Sequence, residues 1–351
     1  MYEQALDIAK RIGNVTGQAA ALNEMAIQYG VMGDHAKAKN LYVQALAIYR
    51  EIDDKAHTAP LMGNVANELM FQGRLADSMK MYKDTVESAH ELGATSTEGD
   101  GSYNIGLLLQ FQGDLAGAKD WFSKSLALFQ NADNRVAATY PLYSLGELAM
   151  MQADFDAAAK LLQQSLTARQ AEQEKLGTAE SNLDLALLDL NEGRSVSDAE
   201  ALSRSAGQVL HDAKVKDEEA RAYSILASVL LAEGKSAEAL QAVEQATVIS
   251  RKSQDPNYRL SIAVVSSRVR GLADPSNSAV SQSLAALNQA AIEAGRLGYV
   301  GIQMEARLAL GEIEMKSGKR GLGRNHLEAV ERDSAARGFL LIAHRASAAR
   351  S

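Results

Sequence analysis

Histidines are the side chains of this 351-residue sequence that are best suited to acid–base chemistry or metal binding, and there are six of them: His35, His57, His90, His211, His326 and His344. None stands three or four positions from another, and none lies beside carboxylates at the spacing that metal ligands require. Cysteine is absent, so thiolate metal sites, cysteine nucleophiles and disulfides are excluded. We therefore predict no metal site and no catalytic histidine.

The other reactive residue types also lack the patterns of enzymes. The carboxylate pairs Asp53-Asp54 and Glu218-Glu219 fall at predicted helix ends or first turns, where acidic side chains interact favourably with the helix dipole. Serines are frequent but have no general base nearby in the sequence. The glycines are spaced as helix punctuation and do not form a phosphate-binding loop. We predict no catalytic residues and no cofactor, and we do not expect an enzyme.

Composition limits the remaining classes of protein. Hydrophobic residues make up 46% of the chain, whereas aromatic residues are only 5% and prolines number 4, a balance that favours helix throughout. The net charge of -8 disfavours binding to nucleic acid. The basic run at Arg251, Lys252, Arg259, Arg268 and Arg270 is interpreted as a solvated face. No apolar run approaches the roughly 18 residues of a membrane span. We predict a cytoplasmic protein without membrane insertion, although an excised segment would have lost any targeting sequence.

An internal repeat provides the elements that would position any binding residue. Turn-forming pairs recur 40 residues apart at five places, which are Gly33-Asp34, Gly73-Arg74, Gly113-Asp114, Ala153-Asp154 and Gly193-Arg194. Apolar residues stand at helical spacing on both sides of each turn. Small residues such as Ala26, Ala66, Gly106 and Gly146 recur where two helices must cross closely. Each repeat is therefore predicted to be a helix, a tight turn and a second helix.

The residues around these turns resemble the tetratricopeptide repeat family. The family's bulky, small and aromatic positions are matched in the first complete repeat by Leu22, Met25, Ala26, Tyr29, Ala38, Tyr42 and Ala45. The step of 40 residues is longer than the usual 34 and is similar to the long-helix subset that includes kinesin light chains. The resemblance covers nearly all of the chain and weakens near residues 257–298, where the turn glycine is missing. It implies an all-α, right-handed superhelical α-solenoid of about eight repeats.

The repeat register predicts the organisation of residues 1–351 as a single solenoid. We predict repeats at 17–55, 57–95, 97–135, 137–175, 177–215, 217–255, 257–298 and 301–337. Residues 1–13 align with the second helix of a repeat whose first helix is absent, so we expect an excised segment with Met1 as an introduced start. Residues 339–350 are predicted to form a capping helix. Residues 182–187 alternate like a strand, but their register predicts helix.

In the resembling fold, the first helix of each repeat lines a concave groove, and this implies a binding surface. The predicted groove residues are Asn67, Met70, Phe71, Tyr103, Leu107, Gln110, Phe111, Tyr140, Tyr143, Glu147, Met150 and Met151. Aromatic and methionine side chains suit an apolar or amphipathic peptide, although each of them could instead pack between adjacent first helices. We therefore expect a protein-interaction scaffold whose partner is a protein or peptide segment.

A second hypothesis is a sensory or regulatory module. The C-terminal residues Leu327, Gly338-Phe339 and Ile342-Ala343 are similar to tetratricopeptide regions that close certain bacterial serine/threonine kinases and transcriptional regulators. That resemblance implies a module of a larger bacterial signalling protein, with a small ligand or a protein in its groove. The residues alone identify neither the partner nor the oligomeric state.

Overall fold

The chain folds as a series of α-helices. The computed structural model describes residues 2–32, 34–194 and 196–351, so Met1, the predicted turn residue Gly33 and Ser195 lie outside the described residues. Its helices are α1 Tyr2–Arg11, α2 Val15–Val31, α3 His35–Glu51, α4 Lys55–Phe71, α5 Leu75–Glu91, α6 Thr95–Phe111, α7 Leu115–Asn131, α8 Arg135–Met151, α9 Phe155–Ala171, α10 Lys175–Glu192, α11 Val196–Asp212, α12 Lys216–Ala232, α13 Ser236–Ser250, α14 Pro256–Ala273, α15 Asn277–Leu297, α16 Val300–Lys316, α17 Arg320–Ala335 and α18 Leu340–Arg350. No strand occurs within these ranges, and the strand-like stretch lies inside α10. The all-α prediction is confirmed.

Residues in the left-handed backbone conformation end the helices at regular intervals. One series lies between the two helices of a pair (Gly73, Gly113, Ala153, Gly193), and the other lies between pairs (Asp53, Gly93, Asp133, Gln173). A residue in this conformation stops a helix and lets the chain reverse. The Asp154 carboxylate then caps the next helix by accepting a hydrogen bond from the Ala157 amide at 3.2 Å. The sequence analysis found only the first series, because glycine marks it more often.

Small residues are essential where the two helices of a pair cross. Ala26, Ala66 and Ala186 are completely buried at these crossings. A Cβ atom added at Gly106 would lie 2.6 Å from the ring of Phe122, which is closer than real Cβ contacts allow. Because protein interiors are close-packed, a larger residue would force the helices apart. The prediction of small crossing residues is confirmed at these positions.

The helices belong to two compact units. Unit 1 consists of residues 1–108, 120–134 and 254–256, and unit 2 consists of residues 109–119, 135–253 and 257–351. In unit 1 the helices α2, α3 and α4 share a core that includes Leu22, Tyr42 and Leu69. In unit 2 one core includes Leu183, Leu210 and other apolar residues of α10, α11 and α12. The predicted repeat boundaries remain predictions.

Several histidines have a structural role that the sequence did not suggest. Each lies against a glutamate that is almost completely buried. The pairs are His35–Glu68, His90–Glu98, His211–Glu219 and His326–Glu314, with Nδ1-to-carboxylate distances of 2.8, 3.1, 2.7 and 2.7 Å. A buried carboxylate without a bonding partner would be strongly destabilising. These histidines therefore supply the partners that allow the glutamates to be buried.

Candidate functional site

Side chains on consecutive first helices of unit 2 form one continuous polar network. Tyr143 on α8 donates a hydrogen bond to Asp184 on α10, and Arg221 on α12 donates to the same carboxylate at 2.6 Å. Tyr258 on α14 donates to Glu218 on α12, whose other oxygen lies 3.5 Å from the guanidinium of Arg221. We call the surface defined by these five residues the first-helix face.

The first-helix face carries more carboxyl groups than cations. Glu147 on α8 and Glu180 on α10 lie close enough to Asp184 and Glu218 to sense their charges. Burial together with the charge of Asp184 raises the pKa of Glu147 to about 8, although Arg221 acts in the opposite direction. Burial and the charge of Glu218 likewise raise the pKa of Glu180 to about 7. A cation reaching this face would relieve the repulsion between the carboxylates.

Replacing Glu147 by glutamine should make folding less sensitive to pH. A carboxyl group whose pKa is higher in the folded than in the unfolded state favours folding at low pH and opposes it increasingly as the pH rises from about 5 to about 8. We expect Glu147→Gln to exceed the wild type in free energy of unfolding by more than about 1 kcal/mol at pH 8, with little difference at pH 5. Urea unfolding at both pH values measures this. The same difference at both would contradict the raised pKa.

A buried arginine supports the first-helix face from behind. Arg169 on α9 is completely buried, and its Nη1 donates to the Gly177 carbonyl at 2.6 Å and to the Ser181 hydroxyl at 3.1 Å. Its guanidinium carbon lies 4.8 Å from the ring centre of Tyr143 and 5.4 Å from that of Tyr140, within the range of cation–π attraction. Arg169 therefore helps to fix the orientation of both tyrosines.

The residues that the sequence predicted for the groove in unit 2 have mixed environments. Gln110 and Met150 are buried, Glu147 and Met151 are half-buried, and Phe111 packs edge-on against Tyr299 with the ring centres 5.3 Å apart. Tyr143 bonds to Asp184, whereas the Tyr140 side chain is 40% exposed. Tyr140 is thus the aromatic residue of this set that is most accessible to a partner.

The predicted groove residues of unit 1 mostly take part in packing. Tyr82 donates a hydrogen bond to Asn67, and Met70 is buried. The Phe71 ring lies 4.7 Å from the ring of His35, and the Tyr103 ring lies 5.6 Å from that of Phe122. Leu107 is half-buried. The predicted binding role of the whole set remains a prediction.

The sequence analysis missed most of the polar network. Glu218 and Tyr258 are 40 residues apart, and Tyr143 and Asp184 are 41 apart, so each pair occupies neighbouring positions of adjacent repeats. That spacing, combined with the side-chain types, was a signal for the network. Arg221 has no such signal, because its link to Asp184 depends on how α10 and α12 pack.

The basic run near residue 260 does not form the simple solvated face that we predicted. Arg259 bonds to Glu293 at 2.7 Å, and Arg270 bonds to Glu244 at 3.0 Å. Arg268 on α14 binds Glu312 on α16 through two nitrogen atoms. Helix packing brings these carboxylates from distant parts of the sequence, so the run is largely neutralised by ion pairs.

Comparison with known families identifies the repeats. A family model described as tetratricopeptide repeat matches residues 17–91 and 100–171. The chain carries tetratricopeptide repeats. Tetratricopeptide repeats are protein-interaction modules, and the chain is accordingly an interaction scaffold. No protein of curated function is significantly similar to it in sequence.

Several solved structures have the same fold as this tetratricopeptide chain. The Rap conjugation gene regulator of the plasmid pLS20, in complex with the Phr* peptide, is 15% identical with a TM-score of 0.66, over 93% of this chain and 96% of that one. A Rap protein complexed with competence and sporulation factor is 10% identical with a TM-score of 0.63, over 92% and 99% of the two chains. A signal transduction ATPase with a tetratricopeptide repeat sensor, from Pyrococcus horikoshii, is 14% identical with a TM-score of 0.53, over 84% and 44%. At these identities the likeness establishes the fold alone.

Two further searches concern ligand and membrane sites. Within residues 2–32, 34–194 and 196–351, no group of three histidine or carboxylate side chains is placed to hold a metal ion. In the same ranges, no helix combines the length and the apolar character that crossing a bilayer requires.

Proposed function

We propose that the chain binds a peptide or an extended segment of a partner protein along the first-helix face of unit 2. The observation that carries this proposal is the row of aromatic and charged side chains on α8, α10, α12 and α14, with Tyr140 exposed at one end. Packed helices are about 8–10 Å apart, and an extended chain advances about 3.3 Å per residue. An extended segment could therefore contact a new helix with every third residue.

The charges of the first-helix face favour a particular partner chemistry. Glu147, Glu180, Asp184 and Glu218 surround the single cation of Arg221, and the whole chain has a net charge of -8. A segment with a lysine or arginine side chain would add the missing positive charge, while its apolar residues could pack on tyrosine. We therefore propose an amphipathic partner segment with at least one basic residue.

The comparisons support a peptide ligand and suggest a setting for it. One structure of the same fold is a gene regulator in complex with a peptide, and another is a signalling ATPase in which tetratricopeptide repeats are the sensor. These likenesses favour a regulatory module as the wider role of the scaffold. No catalytic step belongs to the proposal, and the cytoplasmic location remains a prediction.

A random dodecapeptide library displayed on phage tests the proposal. The immobilised chain should enrich peptides that contain basic and apolar residues, and their binding should weaken as salt is raised. Tyr140→Ala should reduce binding of the enriched peptides about tenfold, since exposed aromatic residues often dominate binding energy. Val248→Ala, at an exposed position on the second helix α13, is the control and should leave binding unchanged. Failure to enrich any peptide, or equal losses in both variants, would reject the site.

A further inference from the structure

Unit 2 contains contacts between parts of the chain that are far apart in sequence. The turn between α6 and α7 lies against the turns that precede α16 and α18. The ring of Phe111 meets that of Tyr299 edge-on at 5.3 Å. A Cβ atom added at Gly113 would lie 2.9 Å from a methyl group of Val300 and 3.3 Å from the ring of Phe339. In a simple repeat stack each repeat contacts only its neighbours, so this contact is an addition to the fold.

The C-terminal helix extends the same contact to α8. Leu341 on α18 packs against the apolar cluster that contains Ala149, Met150 and Leu188. Arg345 ties α18 to α16 through Glu305, at 3.0 and 3.1 Å. The last helix of the chain is therefore held between its sequence neighbour α16 and the distant helix α8.

These contacts close a ring of first helices. Tyr143–Asp184 links α8 to α10, Arg221–Asp184 links α10 to α12, and Tyr258–Glu218 links α12 to α14. Arg268–Glu312 then links α14 to α16, and Arg345–Glu305 links α16 to α18. Leu341 completes the circuit by returning to α8.

The closing contact is the weakest part of this ring. Adjacent helices of unit 2 share long interfaces along their whole length, whereas α18 touches α8 only near its first turn. The tight fit at Gly113 means that a small displacement separates the surfaces. Helix pairs can remain folded without the closing contact, because each is stabilised by its own neighbours.

We propose that the contact of the α6–α7 turn and α8 with α16 and α18 is a releasable latch. It closes the ring in the free protein and opens to admit a partner segment to the first-helix face. This inference rests on the proposed function for its role in binding. Its structural part, a closed contact that can open while the helices stay folded, is independent of any ligand.

A distance measurement tests the closed contact. The sequence has no cysteine, so spin labels attached to Gln112→Cys and His344→Cys, both at exposed positions, occupy unique sites. We expect double electron–electron resonance to give one short, narrow distance population. Leu341→Asp should shift most of that population to longer and broader distances without loss of helical circular dichroism. Leu340→Asp, at an exposed neighbouring position, is the matched control and should leave the distances unchanged. Equal distributions in both variants, or a broad one without them, would overturn the latch.

A reversible crosslink tests the role of the latch in binding. A Cβ atom at residue 113 would lie 3.1 Å from the Val300 Cβ, so a disulfide between Gly113→Cys and Val300→Cys needs only a small adjustment. Ala153 has a positive φ of 57° at the equivalent turn, which shows that a residue with a side chain fits there. We expect the oxidised protein to capture at least tenfold fewer phage-displayed dodecapeptides than the same protein after reduction.

The outcomes of these two experiments separate the latch from the proposed function. Equal capture by the oxidised and reduced proteins would overturn gating while leaving peptide binding intact. No capture by the wild type, the reduced protein or Leu341→Asp would reject both the binding function and gating. The distance measurement would still decide whether the ring opens.

Discussion

Arg221→Ala is expected to lower the free energy of unfolding by about 3–5 kcal/mol, because it removes one partner of a buried ion pair. The Asp184 side chain is only 1% exposed, and Arg221 lies 2.6 Å from it. Without the guanidinium, Asp184 and Glu218 would face Glu147 and Glu180 with no cation between them. Urea unfolding followed by circular dichroism measures the loss.

Two controls identify the cause of that loss. Arg259→Ala breaks a more exposed pair with Glu293 and should cost less than about 1 kcal/mol. Combining Arg221→Met with Asp184→Leu removes both charges and should recover much of the stability, because apolar replacement of a buried pair is often tolerated. Equal losses for Arg221→Ala and Arg259→Ala would show that the network does not stabilise unit 2.

Phe122→Ala is expected to cost about 3–5 kcal/mol in unit 1, as large-to-small changes of buried aromatic residues do. The Phe122 side chain is completely buried; it lies over Gly106 and packs against the ring of Tyr103. The backbone of α6 passes so close to the ring that neighbouring side chains have little freedom to fill the space left behind. A lower urea midpoint measures the effect.

The adjacent residue Trp121 provides a matched control for Phe122. Trp121 is only partly buried, and its contacts include the ammonium group of Lys124 5.1 Å from its ring centre. Trp121→Ala removes a larger side chain but less buried area, so we expect a clearly smaller loss. A loss as large as that of Phe122→Ala would mean that the crossing of α6 and α7 does not depend on close packing at Gly106.

The local pattern of residues was enough to predict the helix pairs and their crossings. Gly73, Gly113 and Ala153 stand 40 residues apart, and each ends a helix in the left-handed conformation. Ala26 and Ala66 are buried at crossings as predicted. These features depend on residues close together in sequence, so periodicity reveals them.

The candidate site was predicted less completely, since its bonds join different helices. Tyr143 was predicted as a groove residue, but its partner Asp184 and the shared cation Arg221 were not. Met70 and Met150 have the side-chain type of a binding groove and are nevertheless buried. A side chain's type and register place it on a helix face, whereas its exposure depends on what the neighbouring helix brings against it.

The amino-acid order by itself determined the all-helical repeat, the turns and the small residues at each crossing, because these follow from periodic spacing and backbone preference within one helix pair. Only the tertiary structure decided which charges meet on α8, α10, α12 and α14, and that α18 returns to α8 through Leu341. Those contacts depend on the summed small rotations between successive pairs, and no short stretch of sequence specifies that sum.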